Sequence, residues 1–366
     1  MTALLSADVL LAAAVVIGVL TLGVGVVTVA TAGWYHRRDG RRAATRARLK
    51  DRLLERLFEP DPQWDEWVGT LSPAERRQVR PVLERYLRQL RGSEHARLCE
   101  LARTLGIQAE AKRNLAVGRK RIRALTWLAL LDAPVPVDRL REYCTDTPRV
   151  RAGAARVLYE SEAPEASRIG TELLFEDTDQ PLSAFGLDTL YRLNDGAETP
   201  LLDQFPAALD AWDTPILVQT LLVLRYASID APSGRLDWLP DLLTHESPRV
   251  RATTIGVIER HGWRASTRDR LDIEALVADA DPSVRTNTYM LLASWGDEQS
   301  AAQLRTALGG AFDSQLLDAV RALWLHPSAG LPEPTERTGP VVDWVRADAA
   351  ITGQRGRLWG VGAAWA

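Results

Sequence analysis

Two cysteines, Cys99 and Cys144, and five histidines, His36, His95, His245, His261 and His326, are the residues of this 366-residue chain best suited to nucleophilic or metal-bound chemistry. A closed zinc site draws four Cys or His ligands in tight pairs, and no such spacing occurs. His245-Glu246 is not followed by a second His four residues after the first, so the two-histidine helix of metalloproteases is absent. Neither a glycine-rich phosphate loop nor a Ser/His/Asp arrangement on a recognisable elbow is present. Cys99 shares a helical face with Leu98 and Leu101, which assigns it to a core. His261 precedes Gly262 at a helix end, where it should bond terminal carbonyls. The sequence therefore predicts no catalytic residue, no metal and no cofactor. What remains is to ask which elements the chain builds, and for what.

The first is a membrane span. Between Asp8 and His36 there are 27 residues without a charge. At ~1.5 Å per helical residue they cover a hydrocarbon core of roughly 30 Å with some tilt. Trp34 and Tyr35 follow at the interfacial position. No Lys or Arg precedes the apolar run, and the run is too long for a cleaved secretory signal. Only Asp8 lies before it, whereas Arg37, Arg38, Arg41, Arg42, Arg46, Arg48 and Lys50 open the other side. The positive-inside rule then puts the N-terminus outside a cell membrane and the rest in the cytoplasm, with both cysteines as free thiols. Within the span Ala14, Gly18, Thr21, Gly25, Thr28 and Ala32 form a stripe of small residues, the pattern that lets a partner transmembrane helix approach closely.

The formal net charge of −3 conceals a strong asymmetry. Residues 34–123 carry 23 Lys+Arg against 12 Asp+Glu, a net of +11, and residues 124–366 carry 22 against 35, a net of −13. Leu49, Leu53, Leu54, Leu57 and Phe58 fall at helical spacing inside the basic stretch, which reads as a juxtamembrane helix held against anionic lipid headgroups, or as an ordinary solvated helix. Two prolines in Glu59-Pro60-Asp61-Pro62 end it. Ser72-Pro73-Ala74-Glu75 carries a capping box and predicts a new helix, with Pro81 expected to kink it. The acidity of the larger part opposes nucleic-acid binding.

That larger part is periodic. Pro148, Pro181, Pro215, Pro248 and Pro282 are separated by 33, 34, 33 and 34 residues, each followed by the same apolar pattern. Ser314 starts a sixth copy. Leu174, Leu209, Leu242, Leu276 and Leu308 mark a preceding apolar position in each unit. Each unit reads as two short amphipathic helices, the proline opening the second. Such a pair covers its apolar face only by stacking on copies of itself. An all-α fold with almost no sheet follows. Pro327, Pro332, Pro334 and Pro340 then mark a linker, and Val341, Val342, Trp344, Val345 and Ile351 predict a short helix suited to cap the last unit or to bind a partner.

The turns Thr147-Pro148-Arg149-Val150-Arg151-Ala152, Ser247-Pro248-Arg249-Val250-Arg251-Ala252 and Asp281-Pro282-Ser283-Val284-Arg285-Thr286 resemble HEAT repeats of the short kind also found in phycobilin lyase-like proteins. Residues 94–101 and 121–128 look like two tighter copies, so the resemblance implies an α-solenoid of about eight HEAT-like hairpins. It also implies that Arg151, Arg251 and Arg285 brace neighbouring repeats. The expected organisation is an anchor (1–35), a basic juxtamembrane helix and linker (36–71), the array (72–326) and a tail (327–366). That layout is similar to membrane-anchored HEAT-repeat proteins of bacteria and archaea, some encoded beside membrane glycosyltransferases. The resemblance implies a non-enzymatic scaffold that holds a protein partner on a face of the array. The alternative is a phycobilin lyase-like enzyme or small-molecule regulator using the concave face.

Overall fold

Helix starts are set by local chemistry. Ser72 caps its helix, with its side chain accepting from the Glu75 N–H while the Glu75 carboxylate accepts from the Ser72 N–H. The Thr147 and Ser183 side chains accept from the N–H groups of Val150 and Gly186. The computed structural model describes residues 21, 24, 25, 28, 31, 43–176, 180–196, 198–209, 211–229, 235–261 and 265–352. Among them there is no strand, only an isolated bridge between Gly196 and Ile229. The fold is all-α.

The chain divides into two compact units. The first takes residues up to Asn114 together with Leu130–Asp132, and the second takes the rest. In the first, α1 (43–57), α2 (Trp64–Thr70), α3 (Pro73–Gln89), α4 (Gly92–Thr104) and α5 (Ile107–Asn114) share a core. α3 runs through Pro81 as one helix. α1, expected to lie beside a membrane, does not keep its apolar face for lipid: Leu49, Leu53 and Leu57 are buried inside the unit. Each buried leucine contributes roughly 1.5–3 kcal/mol to that core. Phe58 alone of that set is exposed. The expected linker contains α2, whose Trp64 and Trp67 are buried edge to face.

The second unit comprises α6 (Gly118–Leu130, its last residue grouped with the first unit), α7 (Val137–Tyr143), α8 (Pro148–Glu160), α9 (Ala166–Phe175), α10 (Ala184–Asn194), α11 (Leu201–Ala208), α12 (Thr214–Tyr226), α13 (Pro248–His261), α14 (Ala265–Arg268), α15 (Ile273–Val277), α16 (Pro282–Trp295), α17 (Glu298–Gly310), α18 (Leu316–Leu325) and α19 (Gly339–Thr352). The second helix of each hairpin packs on the next in chain order, α8 on α10, then α12, α13, α16 and α18. Two details differ from the periodic reading. α10 opens at Ala184 with Ser183 as its cap, so Pro181 precedes the helix instead of starting it. In the hairpin before α13 the first helix is reduced to a 3₁₀ turn at Leu239–Thr244. The tail helix α19 packs on α18 and buries Val342 and Val345.

The predicted span lies almost wholly outside the described residues. Thr21, Val24, Gly25, Thr28 and Thr31 are helical and exposed, with the Thr28 hydroxyl donating to the Val24 carbonyl at 2.8 Å. Among the described residues no helix is long and apolar enough to cross a membrane.

Candidate functional site

The second unit has a groove walled by the first helices of its hairpins. Phe175 ends α9, and Trp212 follows α11 in a turn held by its N–H donating to the Ala208 carbonyl. Their rings stack at 4.4 Å. Trp212 meets the fully buried Phe205 edge-on at 5.4 Å, and Phe205 stacks on Trp238 at 4.5 Å. Phe175 and Trp212 line a groove of about 490 Å³ together with Arg141, Glu172, Glu176 and Gln204, and Phe205 and Trp238 back them from inside the fold. Arg141 pairs with Glu172 at 3.1 Å across α7 and α9. Glu176 is exposed, and Asp177 and Asp179 follow it in sequence.

One buried amide fixes the walls. Asn194, fully buried at the end of α10, donates to the Thr171 hydroxyl of α9 at 3.0 Å and to the Leu190 carbonyl at 2.9 Å. Its carbonyl accepts from the Leu201 N–H that opens α11, at 2.9 Å. Nothing in the sequence singled out this groove. Phe175 and Trp212 stand 37 residues apart, and only the hairpin geometry brings them together.

The three signature arginines act within the fold. Arg151, Arg251 and Arg285 each donate back to carbonyls of the turn before their own helix: Thr145 for Arg151, His245 and Glu246 for Arg251, Asp279 and Ala280 for Arg285. Arg251 also makes a two-pronged pair with Asp279, at 2.8 and 2.9 Å, and Arg285 donates to the Gln315 side chain. Of the collar residues, Arg37, Arg38, Arg41 and Arg42 lie outside the described residues, as do Ala14, Gly18 and Ala32 of the stripe. Arg46, Arg48 and Lys50 are exposed on α1, and Arg46 donates to Gln78 of α3 at 2.8 Å.

The residues suited to chemistry separate into two groups. Cys144 is buried, and burial pushes its thiol up to about 11. His261 is held neutral-leaning by burial, with its Nε2 on the Leu224 carbonyl at 2.7 Å near the end of α12. His326 bridges Ser300 and the Ser328 N–H and is likewise shifted down by burial. Cys99 departs from its expected place. It is half-buried, and it meets His95, one turn earlier on α4, and Asp132, which comes from the segment after α6.

Comparison with protein-family models, with curated proteins and with solved structures found no match for this chain.

Proposed function

We propose that the chain is a membrane-tethered, non-enzymatic scaffold: an α-solenoid of HEAT-like hairpins whose first-helix groove holds a basic, apolar-studded segment of another protein. The observation that carries this reading is the stacked pair Phe175 and Trp212 in a groove rimmed by Glu172, Glu176 and Arg141, in a region whose net charge is −13. Stacked, partly buried aromatics supply contact area at low entropic cost, and the surrounding acidity selects cationic partners. The succession of second helices and the braces that join turns 28 and 30 residues apart support the solenoid. The anchor is the uncharged run of residues 9–33, oriented with the N-terminus outside and aided by anionic lipid on the collar cations and by a partner helix on the small-residue stripe. The client suggested by the resemblance is a membrane glycosyltransferase.

The test uses the full chain in zwitterionic nanodiscs and labelled peptides that alternate Arg with Leu and Phe, read by fluorescence anisotropy. Trp212→Ala and Glu176→Lys should each weaken binding about tenfold, equivalent to ~1.4 kcal/mol. Unchanged affinity in both variants, or equal binding of a Glu-rich peptide, overturns the reading.

A further inference from the structure

The cluster around Cys99 has a geometry that core packing does not require. α4 places His95 and Cys99 four residues apart, hence on one face. Asp132 reaches them from the turn after α6, with a left-handed backbone at φ 45°. The His95 ring is held at both nitrogens. Nε2 lies 3.1 Å from the Leu130 carbonyl, which can only accept, so Nε2 carries the proton. Nδ1 is left to face Cys99 Sγ at 3.6 Å and Asp132 Oδ2 at 3.4 Å. A lone pair there would point at a carboxylate, so a cation belongs between the two, either a proton on Nδ1 or a metal ion.

This is not the geometry of a catalytic triad. A relay needs the thiol on one ring nitrogen and the carboxylate on the other, whereas here both meet Nδ1. It is the geometry of a metal ligand whose far N–H is fixed by a backbone carbonyl. The separations fit as well. Tetrahedral zinc with bonds of ~2.0–2.3 Å sets its ligand atoms about 3.3–3.8 Å apart, which both distances from Nδ1 satisfy. All three ligand atoms lie within 4.8 Å of one another. A thiolate, an imidazole and one carboxylate favour zinc over magnesium or calcium, which take oxygen donors. The His95 side chain is 12 % exposed and that of Asp132 48 %, so the site is walled on the helix side and open toward solvent on the other.

We propose that His95, Cys99 and Asp132 bind a zinc ion through Nδ1, Sγ and a carboxylate oxygen, with water at the fourth position. As the Zn–S bond forms, the Cys99 thiol proton leaves to solvent. The ion would pin the segment Leu130–Asp132 to α4 inside the first unit.

The experiment takes the full chain in detergent, without a histidine tag, stripped with chelator and titrated with Co²⁺ and then Zn²⁺. One equivalent of Co²⁺ should give tetrahedral visible bands and a thiolate charge-transfer band that Zn²⁺ bleaches. Cys99→Ser should lose the charge-transfer band, His95→Gln and Asp132→Asn should bind at least tenfold more weakly, and Cys144→Ala should keep the full signal. In wild-type protein, which removes any question of variant folding, Zn²⁺ should protect Cys99 from alkylation, mapped by mass spectrometry. A charge-transfer band that survives Cys99→Ser, or Cys99 alkylated at the same rate with and without Zn²⁺, overturns the proposal. The latter result leaves a proton on Nδ1 as what joins His95 to Asp132.

Discussion

The joints of the second unit are braced in two ways. Where the proline turn carries Val-Arg, an arginine does the work: Arg251 folds back onto two carbonyls and reaches Asp279 of the next turn, 28 residues on. Where the turn lacks that pair, at Pro181 and Pro215, a neutral amide joins the turns, beside charged pairs farther along the helices such as Arg156 with Asp188. Gln219 accepts from the Leu182 N–H at 2.8 Å and donates to the Leu182 carbonyl at 2.9 Å, closing both backbone groups of one buried residue 37 positions away. Asn194 also uses its amide both ways between α9 and α11, donating to the Thr171 hydroxyl and accepting from the Leu201 N–H. The repeat period therefore constrains where a polar brace must stand, while the type of brace is free to change. Charge gives reach across a turn, and an amide, being both donor and acceptor, gives closure at short range.

The largest effect should come from the charged joint. Arg251 and Asp279 are both mostly buried, with side chains 16 % and 13 % exposed. Removing one partner of such a pair leaves a buried charge behind, so Asp279→Ala should cost about 3 kcal/mol in urea unfolding. Replacing both, as Arg251→Met with Asp279→Leu, should recover most of it. If the single and double variants lose the same stability, the pair is not what holds this joint.

The amide joint should be weaker. Gln219→Ala strands the N–H and carbonyl of Leu182 without removing a charge, a cost of about 1–3 kcal/mol. Hydrogen exchange at the Leu182 amide should speed up accordingly. A loss exceeding that of Asp279→Ala would reverse the ranking of the two devices.

The joints also differ in their response to acid. Burial lowers the affinities of His261 and His326 for protons in the folded chain. The folded state thus binds fewer protons than the unfolded one, and stability falls as pH drops below the unfolded value of about 6.5. Asp297 is held well below the usual carboxylate range, first by hydrogen bonds from Arg268. Its contribution is complete above about pH 4 and is lost as pH falls further through its folded value. A pH series of urea melts should show two descending steps. His261→Gln should reduce the upper and Asp297→Asn the lower. A single step unaffected by either substitution removes this account.

How much of this was legible depended on range. The capping box at Ser72 and Glu75 was readable because it depends on neighbours within one turn of helix. The tail helix over 339–352 was readable for the same reason. The groove was not, because Phe175 and Trp212 meet only through the packing of two hairpins. The cluster at Cys99 was missed because its third member comes from beyond α6, and an i, i+4 His–Cys pair beside leucines looks like ordinary core. The place of α1's apolar face is not legible, because an amphipathic helix in a basic stretch suits a lipid surface and a protein core equally, and only burial of Leu49, Leu53 and Leu57 decides it.

The smallest effect belongs to the exposed aromatics, and it separates two uses of the same residue types. Phe185, Phe312 and Trp344 are about half exposed, which invites reading them as a partner surface. Each instead lies under an arginine from the preceding hairpin: Arg156 over Phe185 at 5.2 Å, Arg285 over Phe312 at 4.7 Å and Arg321 over Trp344 at 5.2 Å. Phe175 and Trp212 in the groove stack on other aromatics. A cation over an exposed ring contributes about 0.5–1 kcal/mol. Trp344→Leu, which keeps apolar volume on α19 but removes the ring face, should therefore lower stability by about that amount and leave peptide binding at the groove unchanged. If Trp344→Leu instead costs nothing in stability and weakens the peptide, the exposed ring belongs to the binding surface and the division between the two sets of aromatics fails.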